Sequence, residues 1–444
     1  MIIAKRLKGK AISAWLGTPG AAVRRTVAQV KSKLTNASPR LDFYFDVSDP
    51  WSYLGAQILD RLVTAYGIDF SITPITSPAT DVNAQPRLRT QYALRDAQEL
   101  AEYWNLEFPG KRDPDGGMVE AIGGILIRER PAREQLTCAL ELGQALWSGD
   151  KKNLVLLQGK WGVESQSNIK PVLNTKYTEL RKAGHYQGAM FQYGGNWYWG
   201  IDRLMHLEEA LAVSLGRAPA HVVQPRAERD RGAKLLSKKD LSCEMWFSFR
   251  SPYSYLALQL IEDVLAPYDV PLQLKQVPPM VTRGIPLPTV KKMYIVHDVK
   301  READRLGIPF GDICDPLGVA TDNCLAIQHW ANARGIDDAL AFAKSATKGA
   351  WSEARDLASY VDLRFVVERA GLPWDEAKNA ITNPASAKVA IDNAAELDAA
   401  GLWGVPSYRV GDFVAWGQDR LPLLVDRLRR HQLAAAEPPA TDAV

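Results

Sequence analysis

The stretch "FRSPYSYLALQLIEDVL", Phe249 to Leu265, sets Ser251 directly before Pro252 and an apolar helical pattern, with Ser254 three positions on. Serine followed by proline is a helix-start signature. The hydroxyl can accept from an amide at the second or third helical position, and the proline ring suits the first turn. The residues before it, from Cys243, alternate as a half-buried strand does. The stretch therefore reads strand, turn, helix.

The chain contains this unit twice. "LDFYFDVSDPWSYLGAQILDRL" from Leu41 parallels "CEMWFSFRSPYSYLALQLIEDVL" from Cys243, and each is followed by a short strand pattern, "IDFSITPI" or "PLQLKQVP". "QYALRDAQELAEYWNLEF" then matches "MYIVHDVKREADRLGIPF", pairing Tyr92 with Tyr294 and Asp96 with Asp298. Near the end of each copy, "GHYQGAMFQYGGNWYWGIDRL" aligns without a gap on "GLWGVPSYRVGDFVAWGQDRL", a β-hairpin pattern followed by a helix for which Asp202 or Asp419 is a suitable N-cap. Between these landmarks the second copy shows a long helical stretch from Asn323 to about Ala399, interrupted at Gly371-Leu372-Pro373; the first copy is shorter and less regular there. The expected organisation is a basic extension over 1–40, a first domain over 41–215, a linker over 216–240, a second domain over 241–432 and a low-complexity tail over 433–444.

Bulk composition narrows the function classes. The 444 residues, 46% hydrophobic and 24% charged, describe a globular chain with room for more than one core. A net charge of +3 and the lack of a basic stripe in the folded-looking regions argue against a nucleic-acid partner. Cys138, Cys243, Cys314 and Cys324 form neither a C-x-x-C pair nor a zinc-like spacing with histidine, so no metal is expected. No apolar run reaches the roughly 20 residues of a transmembrane helix, and the chain reads as cytoplasmic. The first forty residues carry Lys5, Arg6, Lys8, Lys10, Arg24, Arg25, Lys31 and Lys33 without an acid. Such an arm can contact an anionic membrane surface, or it can be a solvated extension or a helix on the protein's own body, which is the simpler reading.

Taken in order, "FSFRSPYSYLA", "KKMYIVHDVKREADRLGIPF" and "GLWGVPSYRV…WGQDRL" resemble the 2-hydroxychromene-2-carboxylate isomerases and kappa-class glutathione transferases of the DsbA-like thioredoxin-fold superfamily. The second copy is similar along nearly its whole length, the first mainly at its two ends. The resemblance implies an α/β fold of two tandem thioredoxin-like domains, each with a DsbA-type helical insertion. It implies glutathione as cofactor and a small aromatic or conjugated electrophile as substrate. By position, Ser251 would touch the glutathione sulfur and Pro406 would be a cis-proline, with Val405 offering its backbone to the tripeptide. Asp419, next to Gln418, would hold the γ-glutamyl ammonium, and Lys291 would lie near a glutathione carboxylate or the substrate. Arg250 and Ser248 depart from the apolar residue and the aspartate common in related versions, which leaves the substrate more open than the cofactor.

The residues supply a chemical reason for a serine. A thiol with an ordinary pKa of roughly 8.5 is mostly protonated at neutral pH. One hydroxyl donating to the thiolate is worth about 1.5–3 kcal/mol, or about one to two pKa units, and the helix N-terminus adds to it. Serines in place of a cysteine pair can hold such an anion but cannot oxidise it. Each residue also has a plain structural role: Ser251 and Asp419 as helix caps, Lys291 as a solvated charge, Tyr255 and Tyr294 as packing. Trp246, Trp403 and Trp416 are candidates for an aromatic wall or for core.

The first copy has Asp49 where the second has Ser251, and Ala189 where it has Pro406. An aspartate still caps a helix, but when ionised it repels a thiolate, so no working glutathione site is expected there. Relatives of this type are typically dimers, and the fused pair therefore suggests an intramolecular pseudo-dimer. The leading expectation is a glutathione-dependent isomerase or transferase. A non-catalytic binding or scaffold protein is the alternative, and DsbA-like thiol-disulfide exchange ranks last for want of a C-x-x-C.

Overall fold

A computed structural model of the chain describes residues 40–225 and 241–436. Residues 1–39 of the expected basic extension, 226–240 of the linker and 437–444 of the tail lie outside the described residues. Two compact units result: an N-terminal unit of 40–225 with 287–294, and a C-terminal unit of 241–286 with 295–436.

The N-terminal unit opens with β1 (Leu41–Asp46), where Leu41, Phe43 and Phe45 turn inward and Asp42 and Tyr44 lie partly exposed, as period-two alternation requires. Helix α1 (Pro50–Tyr66) follows and leads to β2 (Phe70–Ile75), parallel to β1. Helices α2 (Pro86–Trp104), α3 (Gly116–Leu126), α4 (Ala132–Ser148), α5 (Lys151–Trp161) and α6 (Gln166–Ala183) form the insertion. The hairpin β3 (Met190–Tyr193) and β4 (Asn196–Trp199) then completes a four-stranded sheet of order β2-β1-β3-β4, followed by a 3-10 turn (Ile201–Arg203) and α7 (Leu204–Ser214). The Phe43 and Phe191 rings stack 4.2 Å apart between β1 and β3. Helix α4 approaches α1 so closely at Gly143 that a Cβ there would overlap the Tyr53 ring.

The C-terminal unit repeats this topology. Strand β5 (Cys243–Phe247), helix α8 (Pro252–Leu265) and the parallel strand β6 (Leu272–Gln276) lead to α9 (Thr289–Leu306), which joins this unit from Ile295 onward. The insertion holds α10 (Val319–Arg334), α11 (Ile336–Ser352), α12 (Tyr360–Arg369), α13 (Trp374–Ala380) and α14 (Ala385–Ala399). Hairpin β7 (Ser407–Val410) and β8 (Phe413–Trp416), a 3-10 turn (Gln418–Arg420) and α15 (Leu421–Ala436) end the unit, and the sheet order is β6-β5-β7-β8. Both sheets thus follow the α/β thioredoxin-like order expected from the repeat. The register sets Trp246 opposite Ser407, which places the loop after β5 beside the residues that enter β7.

The insertion is more divided than its sequence pattern suggests. Besides the break at 371–373, the chain turns at Gly335 (φ 136°) and over 353–359. The last break has a side-chain cause: buried Asp362 accepts from Arg355 Nη1 (3.0 Å) and from the Asp356 amide (3.0 Å), holding those residues out of the helix. Among the described residues no helix is long and apolar enough to cross a membrane.

Gly143→Ala is expected to lower the stability of the N-terminal unit by about 1–3 kcal/mol, because its Cβ would overlap the Tyr53 ring and force the α1–α4 contact to shift. Urea unfolding checks this. A variant as stable as the parent would show that the close approach does not constrain the fold.

Candidate functional site

The candidate site lies at the mouth of α8. Ser251 has an extended backbone and occupies the N-cap position, and its Oγ accepts from the Ser254 amide at 3.1 Å. The same hydroxyl donates its proton to the Val405 carbonyl, also at 3.1 Å. One side chain therefore satisfies a helix amide and ties α8 to the segment entering β7. Ser251 is half-buried, whereas Ser254 is fully buried and accepts from the Ser248 amide at 3.3 Å. Ser248 Oγ is buried with no hydrogen-bond partner among the described residues.

The Val405–Pro406 peptide bond is cis. The loop before it is anchored by Arg283, which donates to the Trp403 carbonyl (3.1 Å) and pairs with Asp398 (3.2 Å). Gly404 is required here, since a Cβ would overlap Trp416 Nε1, and the Trp403 and Trp416 rings lie 4.7 Å apart. The Pro406 carbonyl accepts from the Gly417 amide at 2.9 Å, which draws the 3-10 turn with Gln418 and Asp419 against the proline. Gln418 is buried, and its Nε2 donates to Glu302 Oε2 at 3.1 Å. Asp419 lies 3.4 Å from Arg420 Nη1. Gly417 (φ 116°) takes the N-cap place and makes no side-chain bond, and Asp419 falls inside the turn. Asp202 shows the same arrangement after Gly200.

Ser251 is thus bonded to Val405, and the Pro406 carbonyl to the Gly417 amide that precedes Gln418 and Asp419. Lys291 groups with the N-terminal unit, where its Nζ donates to the Val82 carbonyl at 3.3 Å. Burial, helped by the nearby Arg89 charge, lowers its pKa to about 8. Tyr255 and Tyr294 are buried packing residues, with the Tyr255 hydroxyl donating to the Pro309 carbonyl (2.7 Å) and the Tyr294 hydroxyl accepting from the Trp199 amide (3.1 Å). Arg250 forms a two-pronged ion pair with Asp315 at 2.7 and 2.8 Å. Arg283 and Glu302, which hold the site's loops from behind, carry no local motif. The signal for Glu302 lay in comparing the copies, since Leu100 occupies its place in the first.

The equivalent mouth in the N-terminal unit is built from charge. Asp49 stands at the N-cap of α1, where its carbonyl accepts from the Ser52 amide at 3.0 Å but its side chain makes no cap bond. Its Oδ2 accepts from Ser52 Oγ at 3.0 Å, and its Oδ1 lies 3.6 Å from Arg89 Nη2. Ser52 Oγ also accepts from the Asp46 and Ala189 amides. Ala189, opposite Pro406 in the repeat, has φ 53°. Burial pushes the Asp49 carboxyl up to about 6, with Arg89 opposing and Asp46 adding to the rise. The acidic cap of the sequence reading is therefore a buried ion pair instead.

All four cysteines are buried, and burial pushes the thiols of Cys138 and Cys243 up to about 12 and raises that of Cys324. Residues 243–429 match the DSBA-like thioredoxin domain family, so the C-terminal unit is a domain of that kind. Among curated proteins, the 2-hydroxychromene-2-carboxylate isomerase of Sphingobium xenophagum is 27% identical over 195 residues, covering 41% of this chain and 94% of the relative. Glutathione S-transferase kappa 1 of Caenorhabditis elegans is 23% identical over 181 residues, covering 36% and 79%. A solved 2-hydroxychromene-2-carboxylate isomerase structure aligns over 44% of this chain and 99% of its own, at 22% identity and a TM-score of 0.38.

The raised Asp49 pKa fixes a sign. The folded state binds this proton more tightly than the unfolded state, so its contribution is fully present below pH 4 and is lost as pH rises towards 6. Asp49→Asn removes that loss. Its stability relative to the parent should rise by roughly 1–3 kcal/mol between pH 4 and pH 6.5 in urea unfolding. Parallel pH profiles would show that Asp49 does not titrate in this range.

Proposed function

We propose that the C-terminal unit binds glutathione at the mouth of α8 and that Ser251 holds the bound thiolate. The carrying observation is the Ser251 hydroxyl, set at a helix N-terminus within hydrogen-bond reach of the backbone before a cis-proline. The residues present suit the tripeptide. The Val405 carbonyl can accept from a peptide amide as an edge strand would, and Asp419 offers a carboxylate to an ammonium. The chain's similarity to an isomerase and to a kappa glutathione transferase supports the same reading.

A hydroxyl has one proton, and here Val405 holds it. When a peptide amide takes over as donor to the Val405 carbonyl, Ser251 is released to turn its proton towards sulfur. It continues to accept from the Ser254 amide, so the helix stays capped while the thiolate gains a donor. Bound glutathione supplies the nucleophile, a sulfur that adds to an electrophilic carbon of a conjugated or aromatic substrate, released as an isomer or as a conjugate. Half-buried Trp416, packed on buried Trp403, stands beside the proline loop as an aromatic contact for such a substrate. The N-terminal unit takes no part in holding sulfur, because its equivalent mouth presents a carboxylate already paired with Arg89.

A non-catalytic role makes Ser251 a cap and tether only. Ser251→Ala separates the two. The pKa of the bound thiol, followed by ultraviolet absorbance of the thiolate, should rise by about one to two units, with turnover falling about tenfold or more near neutral pH. Loss of the cap should cost only about 1 kcal/mol of stability. An unchanged thiol pKa beside the same stability loss would leave Ser251 a structural residue.

A further inference from the structure

The two copies differ in one buried contact that the fold itself does not require. In the C-terminal unit Gln418 is 3% exposed and Glu302 is 2% exposed, and they are joined by the 3.1 Å bond from Gln418 Nε2 to Glu302 Oε2. By the gapless repeat, Gln418 corresponds to Ile201 and Glu302 to Leu100, each 1% exposed. The N-terminal unit thus builds the same strand order and the same 3-10 turn with two buried aliphatic residues. Burying an amide and a carboxylate instead is unfavourable relative to well-packed aliphatics of similar size, even with Arg305 Nη2 at 2.9 Å from the same carboxylate oxygen. Folding alone does not account for the polar pair.

Its geometry suggests what does. An ionised carboxylate only accepts hydrogen bonds, so Glu302 decides which way the Gln418 amide is turned: the NH2 end faces Glu302 and Oε1 is the opposite end. Gln418 is also the first residue of the turn that carries Asp419, and the Gly417 amide before it is bonded to the Pro406 carbonyl. A fixed Gln418 therefore fixes the turn against the cis-proline. Two acceptors, Gln418 Oε1 and the Asp419 carboxylate, follow one another on it.

We infer that Glu302 is a positioning residue of the site, orienting the Gln418 amide so that Gln418 and Asp419 together accept from the ammonium of a γ-glutamyl ligand. The inference rests on the glutathione reading above and assigns the ligand's amino-acid end to a buried carboxylate on α9. Glu302 acts through Gln418, not through the Ser251 hydroxyl proposed to hold the sulfur. Its removal should affect how strongly the tripeptide binds and leave the acidity of the bound thiol alone.

The test uses the full chain, glutathione calorimetry, and thiolate absorbance of the bound thiol. In Glu302→Leu the glutathione Kd should weaken about 10- to 100-fold, the scale of a lost hydrogen bond involving a charged group, with the bound thiol's pKa unchanged. The double variant Glu302→Leu with Gln418→Ile transplants the aliphatic pair of the N-terminal unit. It should unfold at or above the parent's temperature while showing the same loss of affinity. A Kd within twofold of the parent in the folded double variant would overturn the inference, as would a thiol pKa that moves in step with affinity. No glutathione binding by the parent chain would instead overturn the reading beneath it, and is told apart because it needs no variant.

Discussion

The site depends on a single proton. The Ser251 hydroxyl donates to the Val405 carbonyl and accepts from the Ser254 amide, so the first turn of α8 and the cis-proline segment are held together through one oxygen. A helix mouth with spare amides attracts an anion, and a hydroxyl there can supply a directed donor. In this chain that donor is engaged with a backbone acceptor of the kind an incoming peptide can satisfy. On the proposed glutathione reading, this is the bond that an arriving peptide exchanges. The rest of the site serves this arrangement: Arg283 pins the Trp403 carbonyl, Gly404 admits the Trp416 ring, and the Gly417 amide brings the following turn onto Pro406.

The N-terminal copy acts as an internal control. It keeps the strand order, the helix after β1 and the 3-10 turn after the hairpin, with Asp202 opposite Asp419, and it replaces four other residues of the mouth and its support. Asp49 stands for Ser251, Ala189 for Pro406, Ile201 for Gln418 and Leu100 for Glu302. The Asp49 carboxylate lies against Arg89, whose guanidinium is stacked 5.2 Å from the Trp51 ring centroid. Where one unit keeps a neutral donor at the mouth, the other holds its own ion pair. The four exchanged positions mark what the fold alone does not need.

Much of this was legible in the sequence, for identifiable reasons. Strands β1 and β5 alternate with period two, the hairpins carry glycine at their turns, and Ser251-Pro252 is a local helix-start signal that needs no tertiary information. The Gln418–Glu302 and Arg283–Trp403 contacts join residues 116 and 120 positions apart, and no periodicity reports such pairs. The surroundings of Lys291 were hidden for a related reason. Helical spacing shows that it and Asp298 belong to α9, but not that the helix changes packing partners between Tyr294 and Ile295. Asp419 looked like a cap because acids commonly are, whereas Gly417 can adopt the positive φ that moves the acid into the turn. The break at 353–359 depends on Asp362 reaching back to Arg355 and Asp356, again a side-chain event within an unbroken helical pattern.

The most direct measurement is a crystal structure of the chain soaked with glutathione. The account predicts sulfur within hydrogen-bond distance of Ser251 Oγ, the Val405 carbonyl accepting from a tripeptide amide, and Ser251 turned away from that carbonyl. Tripeptide density elsewhere, or density at this mouth with Ser251 still donating to Val405, would contradict it.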